Sequence, residues 1–198
     1  EMRDTAAEGQ SRREALGLAL GLGTLASLAT AAPARAQVAS ESTFERVRSS
    51  KVVRIAVLPG ELPYFQKNLS TGEWSGFAIE MAKDIAKTLE VKLEYIESTY
   101  GNSVLELQSG KIDLAFALSA TPQRAMVIDF ASPVFSHPFG ATLRKGLDAV
   151  TWGDLNKKEI RIAVDVGSAN ETAARRFAPN AEIKALKTRD EVMLEIAS

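Results

Sequence analysis

Short apolar runs alternate with amphipathic stretches along most of the chain. The β-branched run 51–58 (KVVRIAVL) predicts a buried strand. Over 77–89, apolar residues recur at helical spacing with charged residues on the opposite side, which predicts an amphipathic helix. The same reasoning predicts strands over 91–96 and 112–118, separated by a short helix over 102–109 that glycine ends. The first part of the chain is therefore an alternation of strands and helices.

A second strand–helix unit follows further along the chain. The run 159–166 (EIRIAVDV) predicts a strand, and Gly167 predicts a turn. Ser168 and Glu171 have the spacing of a capping box at the start of the next helix. We interpret 135–144, between the two units, as an extended crossover. Alternation at this spacing predicts an α/β fold with mostly parallel sheets covered on both faces.

The first 36 residues follow a different pattern. Arg12 and Arg13 precede a stretch of small, weakly apolar residues that ends in the triplet ARA before Gln37. This is the layout of an export signal, and the paired arginines resemble the twin-arginine motif. An alanine stands where that motif usually has phenylalanine, so general secretion is the alternative route. A transmembrane anchor is disfavoured because glycine and hydroxyl residues dilute the run. We therefore expect a mature periplasmic protein.

Composition excludes several classes of site. The 198 residues include no cysteine and one histidine, which rules out disulfides, thiolate zinc sites, cysteine nucleophiles and multi-histidine metal centres. We expect no metal and no cofactor. Lys and Arg total 24 and Asp and Glu total 25, and this balance argues against a nucleic-acid binder. His137 lacks an evident catalytic constellation, so we interpret it as a crossover residue.

One predicted helix start combines several groups that suit an anion. Thr121 is placed as the helix cap with a proline after it, Ser119 adds a second hydroxyl, and Arg124 lies in the first turn. Free amides and the helix dipole favour negative charge there, and the guanidinium can hold both oxygens of a carboxylate. From this window alone, the alternative is a surface arginine paired with Asp129 or Glu106.

A second helix start lies at 167–171, in the other half of the chain. Taken alone it predicts only a well-capped helix. Together, two helix starts from separate lobes can close on opposite sides of one anionic or zwitterionic ligand, as in hinged binding proteins. The two windows therefore predict a ligand site between the lobes.

Several short motifs resemble, in order and spacing, those of the solute-binding proteins of amino-acid ABC transporters, extracellular solute-binding family 3. The motifs are GKIDL at 110–114, TPQR at 121–124 and DFASP at 129–133. They are similar to the family's Gly-Lys-x-Asp, Thr-x-x-Arg and Asp-Phe-Ser-x-Pro, with one alanine inserted in the last. GFAIE at 76–80 resembles the family's Gly-Phe-x-x-Asp helix start.

The resemblance implies a type II periplasmic-binding-protein-like fold, with two α/β lobes joined by a crossover hinge. It divides the chain into an export signal over 1–36, a first ligand-binding lobe over 37–140 and a partial second lobe over 141–198. The second lobe is expected to be incomplete, and the acidic residue with which this family holds the ligand's ammonium is expected beyond Ser198.

The resemblance also implies which residues contact the ligand. Arg124 would bind the ligand carboxylate, supported by Ser119 and by the backbone near Ala117. Tyr100 would form a wall of the site, and the second lobe would contribute mainly backbone amides and small polar groups. The candidate ligand-binding residues are Arg124, Ser119, Thr121, Ala117, Tyr100, Glu61, Ser168, Ala169 and Asn170.

Two positions depart from the family pattern. Leu58 stands where many members have an aspartate, and Glu61 stands where several have an aromatic lid. Glu61 either faces the ligand's ammonium or a basic side chain, or it is a solvated loop residue. The sequence leaves these alternatives open.

The function implied by the resemblance is that of a monomeric, non-enzymatic periplasmic receptor. It would capture an amino acid or related small carboxylate, close around it and deliver it to the permease of an ABC importer in the inner membrane. The alternative is a periplasmic cyclohexadienyl (arogenate or prephenate) dehydratase-like enzyme on the same scaffold, with Glu61 as the candidate general acid. A third, weaker hypothesis is the sensor domain of a signalling receptor.

Overall fold

The computed structural model describes residues 41–134, 136 and 138–197. The predicted export signal and the predicted crossover residue His137 lie outside these ranges. Within the described residues, no helix is long and apolar enough to cross a membrane. The same residues include no group of three or more His, Cys, Asp or Glu side chains that could hold a metal ion.

The first α/β unit is built on a pair of parallel strands. Its helices are α1 (Thr43–Ser50), α2 (Phe77–Leu89), α3 (Tyr100–Gln108) and α4 (Pro122–Ala125), and its strands are β1 (Val52–Val57), β2 (Gln66–Lys67), β3 (Trp74–Ser75) and β4 (Lys92–Glu97). Strand β1 pairs with β4 in register from Val52 opposite Lys92 to Val57 opposite Glu97. Strands β2 and β3 form a short antiparallel pair.

Helix α2 has the bounds that the hydrophobic spacing predicts, Phe77–Leu89. Its buried face is made of small and branched apolar residues: Ala78, Ile79, Ala82 and Ala86. These residues join one buried cluster with Val53, Ile55 and Val57 of β1. Burying such a stripe against a sheet is what stabilises an amphipathic helix of this length.

The predicted strand over 112–118 is wrong. Among the described residues of this segment, only Leu114 pairs like a strand residue, in a parallel bridge with Ile55. Ala117 has a φ of 59°, and this left-handed conformation interrupts the extended backbone that a strand needs. The segment is held instead by Asp113, whose N–H donates to the Arg54 carbonyl at 2.8 Å and whose side chain is buried.

The side chain of Asp113 is the main polar anchor of the first unit. Its Oδ2 accepts from the backbone N–H of Arg54 at 2.8 Å and from Arg54 Nε at 3.1 Å. Its Oδ1 accepts from Arg54 Nη2 at 2.9 Å and also pairs with Arg46 of α1. One buried carboxylate therefore joins β1, α1 and the segment that leads to Arg124.

The second α/β unit repeats the same arrangement. It contains α5 (Trp152–Leu155), β5 (Arg161–Asp165), α6 (Ala169–Phe177), β6 (Glu182–Leu186) and α7 (Arg189–Ala197). Strands β5 and β6 are parallel, in register from Arg161 opposite Glu182 to Asp165 opposite Leu186. Between the two units, 138–144 forms neither helix nor strand, in agreement with the predicted crossover.

The predicted capping box of α6 forms in an altered version. Ser168 Oγ accepts from the backbone N–H of Glu171 at 3.1 Å, as predicted. The Glu171 carboxylate, however, accepts from the N–H of Gly167 at 2.7 Å rather than from that of Ser168. Gly167 has a φ of 73°, and the resulting turn directs its N–H toward the helix start.

Candidate functional site

The residues that meet between the two α/β units follow the carboxyl ends of their parallel strands. This is the edge at which open α/β sheets bind ligands. The small cavity there is lined by residues after β1 and β4 and by residues at the ends of β5 and β6: Leu58, Pro59, Glu61, Ser98, Thr99, Tyr100, Asp165, Lys187, Thr188 and Arg189.

Arg124 is buried, with 9% of its surface exposed, and is not among the residues that line this cavity. Thr121 caps α4, and its Oγ1 accepts from the N–H of Arg124 at 3.3 Å. Arg124 Nη1 donates to the carbonyl of Ser119 at 2.9 Å, and Nη2 donates to the carbonyl of Gly167 in the second unit, also at 2.9 Å. Arg124 therefore bridges the two helix starts that the sequence predicts to face one ligand.

The charge of Arg124 is not balanced by any carboxylate among the described residues. The alternative of a surface arginine paired with Asp129 or Glu106 is wrong, because Arg124 is buried and forms an ion pair with neither residue, and Glu106 pairs with Lys111 at 2.6 Å. Burial lowers the pKa of Arg124, yet a guanidinium remains protonated. A buried cation that meets only carbonyl oxygens is poorly compensated. The site therefore suits an anionic ligand group.

A pair of glycines brings the backbones of the two units into contact. A Cβ atom on Gly167 would lie 2.5 Å from the Cα of Gly101, closer than real Cβ contacts allow. Only glycine at 167 permits this approach. Its φ of 73° is a second reason why a residue with a side chain would be strained there. The starts of α3 and α6 are therefore in direct contact, and a ligand held between them requires the units to separate.

Glu61 is buried, with 6% of its surface exposed, so its alternative interpretation as a solvated loop residue is wrong. Its Oε2 accepts from the Tyr100 hydroxyl at 3.0 Å, and its Oε1 accepts from Arg189 Nε at 3.1 Å. Arg189 Nη2 also lies 2.6 Å from Asp165 Oδ2. Glu61 therefore belongs to a polar cluster that joins the first unit to the second.

Burial and neighbouring charges together raise the pKa values of Tyr100, Asp165 and Arg189. Burial, and then the charge of Glu61, raise the pKa of Tyr100 far above its usual value. Burial raises the pKa of Asp165, although Arg189 opposes the shift. For Arg189, burial alone would lower the pKa, but the charges of Glu61 and Asp165 outweigh it and raise the pKa. Tyr100 is therefore a neutral donor, and Arg189 is a cation held by two carboxylates.

Comparison with known proteins places this geometry in a family. Residues 53–195 match the profile of bacterial extracellular solute-binding proteins, family 3. The chain belongs to this family. The family assignment agrees with the motif resemblance.

The relatives include amino-acid-binding proteins and an enzyme. The ABC transporter glutamine-binding protein GlnH of Bacillus subtilis is 33% identical over 121 residues, which cover 59% of this chain and 44% of the relative. The cyclohexadienyl dehydratase of Pseudomonas aeruginosa is 26% identical over 170 residues, covering 80% of this chain and 60% of the enzyme. The chain spans about half the length of the curated relatives it matches.

A solved structure confirms the fold. The ancestral amino-acid-binding protein AncCDT-1, a precursor of cyclohexadienyl dehydratase, superimposes with a TM-score of 0.71 at 29% identity, covering 79% of this chain and 70% of that one. The predicted type II periplasmic-binding fold of two α/β lobes is thereby confirmed.

The remaining candidate residues are placed around the same edge. Ser119 supports Arg124 through its carbonyl, and the left-handed Ala117 precedes it in the same segment. Ser168 is buried and uses its hydroxyl oxygen to cap α6, whose first residues, Ala169 and Asn170, are half-buried. Their contact with a ligand stays a prediction.

The sequence interpretation missed Asp165 and Arg189. Asp165 is the last residue of β5, and Arg189 begins α7 directly after the loop that follows β6. Position at the carboxyl end of a parallel strand is the signal that points to Asp165. Arg189 could be placed only from β6, a strand that the sequence pattern did not predict.

Proposed function

We propose that this chain is the ligand-binding part of a periplasmic receptor that captures an amino acid or a related small carboxylate. The observation that carries the proposal is the buried guanidinium of Arg124, which meets two carbonyl oxygens and no carboxylate among the described residues. A ligand carboxylate supplies the missing negative charge through charge-assisted hydrogen bonds, which are stronger than those to carbonyls.

Binding requires the lobes to separate and close again. Arg124 Nη2 holds the Gly167 carbonyl, and Gly167 touches Gly101, so the two lobes meet where the ligand would lie. A carboxylate that reaches Arg124 replaces the Gly167 carbonyl at Nη2. The ligand then lies between the starts of α3 and α6, and its contacts with both lobes favour the closed state over the open one.

We extend the proposal to location and partners. Membership of an extracellular solute-binding family and the predicted export signal support a periplasmic location. The ABC transporter glutamine-binding relative supports delivery of the ligand to an ABC permease in the inner membrane. We expect the receptor to be a monomer, since one copy carries both sides of the ligand site.

The proposal excludes catalysis at Glu61. A general acid has to donate a proton to its substrate. Both oxygens of Glu61 already accept hydrogen bonds, from Tyr100 and from Arg189. This arrangement supports the receptor over a dehydratase. We expect no aromatic product when the protein is incubated with prephenate or arogenate, and turnover that Glu61→Gln abolishes would reverse the assignment.

The test of the proposed function compares an acid with its amide. Isothermal titration calorimetry against the standard amino acids identifies the tightest ligand, which is then compared with the same amino acid carrying an α-carboxamide. Because the amide is neutral and cannot form an ion pair with the Arg124 guanidinium, we expect its affinity to be lower by roughly a hundredfold, within the range of truncated charge pairs. Equal affinity for acid and amide would contradict a carboxylate site at Arg124.

A further inference from the structure

Three charged side chains from different elements converge beside the candidate ligand site. Glu61 lies in the loop after β1, Asp165 ends β5 and Arg189 begins α7. Arg189 Nε and Nη2 lie 3.1 Å and 3.5 Å from the two carboxylate oxygens of Glu61. Arg189 Nη2 lies 2.6 Å from Asp165 Oδ2. One guanidinium is thus held between carboxylates of both lobes, and we call Glu61 and Asp165 the carboxylate cradle.

The carboxylate cradle is more deeply buried than the cation that it holds. The side chains of Glu61 and Asp165 are 7% and 4% exposed, whereas the Arg189 side chain is 29% exposed. Asp165 Oδ2 is close to Arg189 Nη2 but receives no aligned hydrogen bond among the described residues. Two buried carboxylates without a cation would be strongly destabilised, because desolvation and mutual repulsion both oppose their charge. Arg189 supplies the compensating charge.

The cradle is continuous with the predicted ligand site. The Tyr100 hydroxyl donates to Glu61, and Tyr100 belongs to the predicted ligand-binding residues. Asp165 stands two residues before Gly167, whose carbonyl Arg124 holds. The cavity lined by Tyr100 and the three charged residues has a volume of about 10 Å³, room for about one water molecule. A ligand that is bound at Arg124 through its carboxylate and extends past Tyr100 would direct its side chain toward the space that Arg189 now fills.

We propose that Arg189 is an internal counter-ion of the carboxylate cradle and makes the receptor discriminate against ligands with a cationic side chain. The inference rests on the proposed function, since it concerns the side-chain end of the same site. A ligand guanidinium has to displace Arg189 to reach the cradle and only exchanges one cation for another. The positive charge of the ligand side chain therefore adds little to the binding affinity. Without Arg189, the cradle becomes a guanidinium-sized space lined by two unpaired carboxylates, and a cationic side chain becomes strongly favoured.

The test uses Arg189→Ala and two ligands of equal length. L-arginine carries a guanidinium, and L-citrulline replaces it with a neutral urea. Calorimetry on the full-length protein measures the ratio of the citrulline Kd to the arginine Kd. We expect a ratio within about threefold of one for the unaltered protein and an increase of at least tenfold in Arg189→Ala. Adding Glu61→Gln to Arg189→Ala should remove most of that increase.

A matched substitution controls for loss of an arginine elsewhere on the second lobe. Arg175 of α6 pairs with Glu171 at 2.8 Å, and its side chain is 56% exposed. Arg175→Ala should leave the citrulline-to-arginine ratio unchanged. An unchanged ratio in Arg189→Ala, or failure of that variant to bind arginine, would overturn the proposal.

A second measurement does not depend on amino-acid binding. Millimolar methylguanidinium chloride should raise the melting temperature of Arg189→Ala above its value in equimolar sodium chloride, because the small cation fills the vacated cradle. The unaltered protein and Arg189→Ala/Glu61→Gln should show no such rise. If the melting temperature of Arg189→Ala does not rise, the cradle does not bind a cation, and the inference is contradicted even if amino acids bind. Ligand binding that does not require Arg124 would contradict only the proposed function.

Discussion

Replacing Arg124 with alanine is expected to weaken binding of the amino-acid ligand by about 2–5 kcal/mol, or roughly 30-fold to several thousandfold. The loss is large because the guanidinium is buried and the ligand carboxylate would have to remain in the closed site without its charge partner. Isothermal titration calorimetry with the tightest amino acid measures the change, and circular dichroism confirms that the variant is folded.

A surface arginine provides the control for this substitution. Arg48 lies on α1, where its guanidinium stacks over the Phe44 ring at 5.8 Å from the ring centre. Arg48→Ala removes the same charge from the first lobe at a position outside the candidate site, and we expect its ligand affinity to equal that of the unaltered protein. If Arg124→Ala behaves like Arg48→Ala, the carboxylate is bound elsewhere.

Replacing Asp113 with alanine is expected to lower the free energy of unfolding by about 3 kcal/mol, the lower end of the range for breaking a buried ion pair. The Asp113 side chain is 1% exposed, whereas that of its partner Arg54 is 25% exposed, so water partly compensates Arg54 when the carboxylate is removed. The same substitution also leaves the N–H of Arg54 without its 2.8 Å side-chain acceptor. Urea denaturation followed by circular dichroism measures the loss.

An exposed ion pair shows how much of that effect depends on burial. Glu80 and Lys83 on α2 form a 2.8 Å pair with side chains 66% and 51% exposed. Glu80→Ala should cost less than about 0.5 kcal/mol, since solvent screens such pairs. A loss in Asp113→Ala no larger than that in Glu80→Ala would show that the buried carboxylate does not hold the 112–118 segment in place.

Local patterns predicted the elements in which one face is buried along the whole length. Helix α2 has the predicted bounds, because its small apolar residues recur at helical spacing against β1. The 112–118 segment has an equally apolar sequence, yet it pairs only at Leu114. The left-handed Ala117 ends the extended conformation there, and no residue type in that stretch marks this conformation in advance.

The part of the candidate site that lies in short sequence motifs was predictable. The position of Arg124 follows from the helix start at Thr121 and Pro122, and its approach to Gly167 agrees with the expectation of two opposed helix starts. The carboxylate cradle was not predictable, because Glu61 and Arg189 are 128 positions apart and meet only through the packing of the two lobes. Contacts that depend on the relative position of the lobes leave no periodic signal in the sequence.

A crystal structure of the protein with its tightest amino-acid ligand tests the central claim most directly. The account predicts that the Arg124 guanidinium lies within about 3 Å of both ligand carboxylate oxygens, with the Gly167 carbonyl displaced from Nη2. A complex in which Arg124 keeps its contacts with Ser119 and Gly167 while the ligand carboxylate is bound by other residues would contradict it.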